Sequence, residues 1–380
     1  METRTEEKRG LAAIYRLCPA AHVCAAVSAL VIVLHLLLRH DYALMRRTSQ
    51  NVIRPLHQAL ARLSSHAGFS VAELLIGLAS AAVLAYIVTG IIRLIVRPER
   101  LKRLYRLIMG LAAAGLGVYA LFCLLWGVYY YGDSFIDSAG LKNDEISAGQ
   151  LETVTVYFAD LLNQYGAQVG RDENGLYCAD RSAILARSDE VFKPVQDMFP
   201  CLAGPSVCAK GIHFSRVMSY LDFTGFFFPF TAEANVNTDF PAGLFASTVA
   251  HELSHQRGVA REQEANFVAV LASLEYGDTD YCYSACMLAY THLSNALLSA
   301  DPGAWAEVYR GLSGGVLADL DANREYWKQF ETPVQSVSNT VYKGFLQSYD
   351  QTLGLKSYGA CVDLLVNYYY DAAAEHFGLS

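Results

Sequence analysis

The sequence predicts a mainly α protein in two parts, an N-terminal three-helix transmembrane anchor over residues 1–131 and a mostly helical domain with a short strand region over 132–380. Three observations predict it: the composition, the division of charge along the chain, and three long apolar runs. Hydrophobic residues fill 53% of the 380 positions and charged residues 17%, against roughly 25% charged in soluble domains. Mean hydropathy is +0.22. A disordered chain and a purely soluble enzyme are both excluded. Residues 1–131 carry 15 Lys/Arg and 6 Asp/Glu, net +9, whereas 132–380 carry 14 and 31, net −17. The first part has the basic flanks of a membrane anchor, and the second has the acidity and length of a domain that buries its own core. The lipid bilayer is therefore one expected partner, and nucleic acid is not.

The apolar runs are placed at about 17–38, 74–96 and 107–131, each long enough to cross a bilayer. The first closes with LHLLLRH rather than a small-residue cleavage site, so it reads as an uncleaved helix. The third ends in Trp126, Tyr129, Tyr130 and Tyr131, an aromatic cluster of the kind found at headgroup level. Four basic residues in the N-terminal tail and five in the 97–106 connection stand against five spread over 39–69. That asymmetry predicts a multi-pass protein with the acidic domain outside the cell. Six of nine cysteines lie in the acidic domain, and Cys201 and Cys208, bracketing CLAGPSVC, are the most plausible disulfide there.

Beyond the boundary stretch Gly132 to Gln150, amphipathic periodicity predicts helices at about 147–165, 182–198, 242–257, 262–276, 281–299, 303–330 and 360–376. One of them holds the chemistry. HELSH occupies residues 251–255, in a helix that Pro241 opens and Gly258 closes. Two histidines four apart share a helix face, so His251 and His255 can reach one metal ion, with Glu252 beside them as general base toward an activated water. Chance supplies this motif roughly 0.01 times in a chain of this composition. Zinc suits the task, because it lowers the pKa of a bound water to about 7 and polarises a carbonyl.

A catalytic zinc takes three protein ligands and keeps a fourth position open. In the metzincin pattern the third ligand is a His six residues beyond the second, where this chain has Arg261, so a carboxylate is expected instead. Glu262 and Glu264 are the candidates. Glu262 and Asn266 are four apart on one face, which would let Asn266 orient a ligand histidine while Glu262 binds metal. Glu264 points about 200° away and is the alternate ligand. The form E-x-x-A-N also resembles the second zinc-binding helix of thermolysin-like and other Glu-type zinc peptidases.

Upstream, GFFFPFTAEANVNTDFPAG (225–243) reads as an aromatic strand entering the motif helix. In zinc peptidases of this type an edge strand near the active helix pairs with the substrate backbone. By that resemblance Phe226 to Asn237 is the substrate strand, with Phe226, Phe228, Phe230, Glu233 and Asn235 as its residues. A core strand or a membrane-facing apolar loop is the plainer reading of the same residues.

GFFFPFTAEAN, HELSHQRG, REQEANF, Tyr283-Ser284 and VYKGFLQSYDQTLGLKSYGACVDLLVNYY, in that order, resemble a bacterial membrane family known only as a domain of unknown function with a zinc-metallopeptidase signature. The resemblance runs from LLWGVYYYG to about Tyr369, with Tyr129 standing where that family tends to have Asn. It implies a mostly helical, zincin-like fold and one Zn2+, in the bacterial cell membrane, but no substrate. A zinc peptidase also needs a group to stabilise the oxyanion, for which Tyr283, His292 and Tyr358 are candidates. The expected function is a membrane-anchored zinc endopeptidase acting on extracytoplasmic polypeptides. The rival is a zinc-binding membrane sensor or scaffold that cleaves nothing, against which the intact Glu252 argues. Neither substrate nor oligomeric state is written in the sequence.

Overall fold

The computed structural model describes residues 14–349 and 359–379. It is mainly helical, with 72% helix and 4% strand, as the composition and periodicity predict. In chain order, the elements that matter here begin with α1 (Pro19–Leu38), α2 (Arg54–Ser65), α3 (Val71–Val96) and α4 (Arg100–Leu125). They continue with α5 (Ala148–Gly166), β1 (Lys210–Ile212), β2 (Gly225–Phe228) and β3 (Glu233–Asn237). The motif lies on α6 (Phe245–Gln256) and is followed by α7 (Glu262–Tyr276), α8 (Thr279–Ala300), α9 (Pro333–Ser348) and α10 (Ala360–His376).

Helices α1, α3 and α4 are long and apolar enough to cross a membrane. The third starts and stops earlier than its apolar run: its first two turns are the basic stretch Arg100–Arg106, and its last residue is Leu125. Trp126 and the three tyrosines have left the α-helix, and Gly127–Tyr131 winds as a 3-10 turn.

The chain forms two compact units, one made of Met1–Ile53 and Val71–Gly132, the other of Arg54–Ser70 and Asp133–Ser380. Arg54–Ser70, the later part of the segment between the first two apolar helices and read from sequence as part of the anchor, thus folds with the acidic domain. Its α2 has a strongly one-sided apolar face, which buries His57, Ala61 and Ser64.

Within that second unit, α5, α6, α7, α8 and α10 share one core, to which Leu151, Phe158, Val249, Leu253, Val268, Leu293 and Leu365 belong. Every residue of α6 except His251 is buried, so the helix is central and its one partly open position is a motif histidine. Pro241 precedes a 3-10 turn, Ala242–Leu244, and the α-helix proper begins at Phe245. The single helix expected over 182–198 is two short ones, Arg181–Ala186 and Lys193–Met198, the second opened by Pro194. That over 303–330 breaks into Pro302–Arg310 and Gly314–Lys328, where Ser313 caps a new start after Gly311.

The aromatic stretch is not one strand but a hairpin. Pro229 ends β2, and the turn passes through Ala232, whose φ of 54° is unusual for a residue with a side chain. Gln256 of α6 holds that turn by donating to the Ala232 carbonyl at 2.8 Å. The strand order is β1-β3-β2, with β3 parallel to β1 and antiparallel to β2. β3 is wholly buried at the centre, and β2 is an edge strand.

Candidate metal centre

Two adjoining helices bring the predicted ligands together. α6 ends on Gly258, whose φ of 92° suits a residue without Cβ, and the N–H groups of Gly258 and Val259 return to the carbonyls of His255 and Ser254. This reversal starts α7 at Glu262 and brings its carboxylate back over the histidines. Glu262 Oε2 lies 3.2 Å from His251 Nε2 and 3.6 Å from His255 Nε2. His251, His255 and Glu262 each offer a ligand atom within 4.8 Å of the others, the one such group among the described residues.

The histidine orientations have an identifiable cause. His255 Nδ1 is 2.6 Å from the Val259 carbonyl, which makes it an N–H donor to that oxygen and leaves Nε2 facing Glu262 as the position that a proton or an ion can take. The Val259 main chain thus does for His255 what the sequence assigned to Asn266. Among the described residues Asn266 makes no hydrogen bond to either histidine. Burial works against charge throughout the cluster. It opposes a proton on His255, but Glu262 outweighs it and lifts the pKa to about 9. Burial likewise works to raise Glu262, and the two histidines overcome it, leaving that carboxylate well below its ordinary range. A proton and a cation compete for the same Nε2 atoms.

Glu252 is 3% exposed and its Oε2 has no hydrogen-bond partner. Burial lifts its pKa to about 7 against the opposing pull of His251 and His255. Glu264, the alternate ligand, points away, as its helical position requires. It is 2% exposed, accepts from the Phe135 N–H at 2.8 Å and stands 3.4 Å from Arg261 Nη1.

The expected substrate-strand residues divide. Phe226 and Phe228 are half-buried on β2, and Phe230 in the turn touches Phe228, with ring centroids 5.0 Å apart. Glu233 and Asn235 stand instead on buried β3, Glu233 bonded to Lys210 and Thr231, Asn235 accepting from Ser70 at 2.6 Å. They serve the fold and do not reach the edge, because the turn at Pro229 sends them to the central strand.

Of the oxyanion candidates, Tyr283 donates to Asp319 away from the cluster, and Tyr358 lies outside the described residues. His292 on α8 is half-buried near His251, and desolvation with that neighbour lowers its pKa to about 4. A residue not identified from sequence is Tyr342 on α9, whose hydroxyl donates to Glu262 Oε1 at 2.7 Å. A lone tyrosine 80 positions downstream carries no spacing signal. The Cys201–Cys208 disulfide is absent, and none of the nine cysteines is in a disulfide.

A family model described as a protein of unknown function (DUF3810) matches residues 49–366. The chain belongs to the DUF3810 family. The DUF3810 match takes in α2 through α9 and part of α10, and so contains every residue of the cluster. No curated protein and no solved structure matches the chain.

Proposed function

We propose that the chain is a membrane-anchored, zinc-dependent endopeptidase that hydrolyses extracytoplasmic polypeptides. The observation that carries this reading is Glu252, a buried carboxylate with an unpartnered oxygen, held beside a His–His–Glu donor set. The donor set fits zinc. Two imidazole nitrogens and one carboxylate oxygen converge from two rigid helices, and one ring is already fixed by a backbone carbonyl. A site that holds zinc only structurally takes four protein ligands and has no need of a base, which favours the enzyme over the sensor or scaffold.

His251 Nε2, His255 Nε2 and Glu262 Oε2 would hold the ion. Zinc bound there supplies Lewis acidity to a peptide carbonyl and lowers the pKa of a water to about 7. Glu252 receives the proton of the attacking water and returns it to the departing amine. Tyr342, donating to Glu262 Oε1, keeps the other carboxylate oxygen facing the histidines. The edge of β2 receives the substrate backbone as an added strand, giving main-chain affinity with little side-chain selection.

Glu252→Gln preserves shape and removes the base. The detergent-solubilised variant should hold close to one zinc per chain yet cleave none of the peptides in a library that the wild type cleaves. Chelation should abolish wild-type cleavage, and added zinc should restore it. Undiminished turnover by Glu252→Gln would overturn the assignment.

A further inference from the structure

We infer that Gly225 is a positioning residue for Glu252, setting where the base stands relative to the β2 edge. The inference rests on the peptidase reading for its catalytic meaning, but its steric part is independent of it. A Cβ at residue 225 would lie 2.5 Å from Glu252 Oε1, 2.7 Å from its Cγ and 2.9 Å from its Cδ. All three are closer than real contacts permit. The bare Cα of Gly225 is therefore the wall against which the carboxyl group packs.

That wall matters because little else fixes the carboxylate. Its Oε2 is buried without a partner, and among the described residues no hydrogen bond reaches the Glu252 side chain. Packing and the pull of the two histidines hold it. Flexible side chains normally yield to an added methyl group, but here the atoms that would yield are those that must receive the proton.

The hairpin ladder gives Gly225 a second property. The register pairs Gly225 with Val236 and Phe226 with Asn235, and the Asn237 N–H donates to the Thr224 carbonyl at 2.9 Å. Bonded and non-bonded pairs alternate along an antiparallel ladder. Thr224, Phe226 and Phe228 thus turn their main-chain groups to β3, while Gly225 and Phe227 turn theirs away from it, to the side where, among the described residues, no further strand pairs with β2. One residue therefore offers main-chain groups to an incoming strand on one side and abuts the base on another. A polypeptide paired along β2 is brought into register with Glu252 at Gly225, which accounts for a glycine at the start of an otherwise aromatic strand. Phe227, the other outward-facing residue, is anchored against His57 of α2 with ring centroids 5.5 Å apart.

The test is a pair of cycles on the full chain in detergent. In the first, thermal unfolding is measured for Gly225→Ala, Glu252→Ala and the double variant. Gly225→Ala should lower the midpoint by several degrees in the wild-type background and leave it nearly unchanged when Glu252 is already Ala. Equal losses in both backgrounds, or failure of the double variant to fold, would overturn the inference. In the second, peptide cleavage and zinc content are read together. Gly225→Ala should keep one zinc and lose at least about 100-fold in kcat, the scale of a displaced general base, with a much smaller change in KM. Shortening the acid in that background, as Gly225→Ala with Glu252→Asp, should recover part of the loss. A kcat within threefold of wild type for Gly225→Ala would also sink it. If no form of the protein cleaves peptide, the function fails, and the unfolding cycle still decides the steric claim.

Discussion

His255 shows how much of a candidate metal ligand's behaviour is set outside the motif. Its Nδ1 is spent on the Val259 carbonyl at 2.6 Å, so only Nε2 remains for an ion. That contact is made by the main chain of the turn that Gly258 permits, and no side-chain pattern announces it. The expectation that Asn266 would do this work followed from spacing, which specifies a face and not a partner. Accordingly, Asn266→Ala should change zinc affinity far less than the roughly 10- to 100-fold that loss of an orienting partner causes. The two neighbouring acids make a sharper pair. Glu262→Ala should lose most bound zinc. Glu264→Ala should keep stoichiometry near one and lower stability by about 1–3 kcal/mol, because it strands the buried Phe135 N–H. Zinc analysis and denaturation of the two variants separate these outcomes, and the reverse pattern would transfer the ligand role to Glu264. The convergence of His251, His255 and Glu262 was legible because they fall within 12 consecutive positions under one helical period and one turn. Tyr342 and Gly225 were not, since their roles depend on what folding brings beside them.

Among the elements, the most informative is α2, which amphipathicity alone could not assign to a partner. Its end is clipped to the sheet by Lys210 on β1. The ammonium donates to the carbonyls of Ser64 and Phe69 at 2.7 and 2.9 Å and pairs with Glu233 on β3 at 2.5 Å. Ser70 then donates to Asn235 on the same strand. These contacts tie a segment from between two apolar helices to the centre of a three-stranded sheet, a long-range pairing no local pattern encodes. Glu233 is almost fully buried, and removing its partner strands a charge. Lys210→Met should cost about 3 kcal/mol, the low end for breaking a buried pair, because Thr231 still donates to the other carboxylate oxygen. A denaturation loss below about 0.5 kcal/mol would mean that the clip contributes little. The hairpin has the look of one strand in the sequence because its aromatic and polar residues run on without a Gly or Asn turn signal. Only Pro229 marks the break, and Ala232 adopts the conformation a glycine would normally supply. Helix α9 half-buries Gln335, Ser338, Asn339, Tyr342, Phe345 and Leu346 at helical spacing but exposes Val334, Val337 and Val341, so its hydrophobic residues do not mark the face that packs.

For the whole molecule, the composition of the second unit constrains the membrane topology. Arg54–Ser70 and Asp133–Ser380 fold together, so they share a side of the bilayer. Between them lie α3 and α4, which must therefore both cross or both remain on one side, and their hydropathies of 2.3 and 2.2 over a membrane-length window favour crossing. Five basic residues crowd the 97–106 connection, which the positive-inside rule assigns to the cytoplasm. On that rule the second unit is expected outside, with α1 leading back toward the inside. Three reporters test this chain of steps. Fusions after Ser380 and at Gly68, where an added Cβ would meet nothing within 4 Å, should both report the outside, and one at Pro98 the inside. A cytoplasmic signal from both Ser380 and Gly68 would invert the protein and place the proposed peptidase among cytoplasmic substrates. Opposite signals from Ser380 and Gly68 would be more damaging, because no membrane crossing could then leave α2, the sheet and the metal centre in one folded unit.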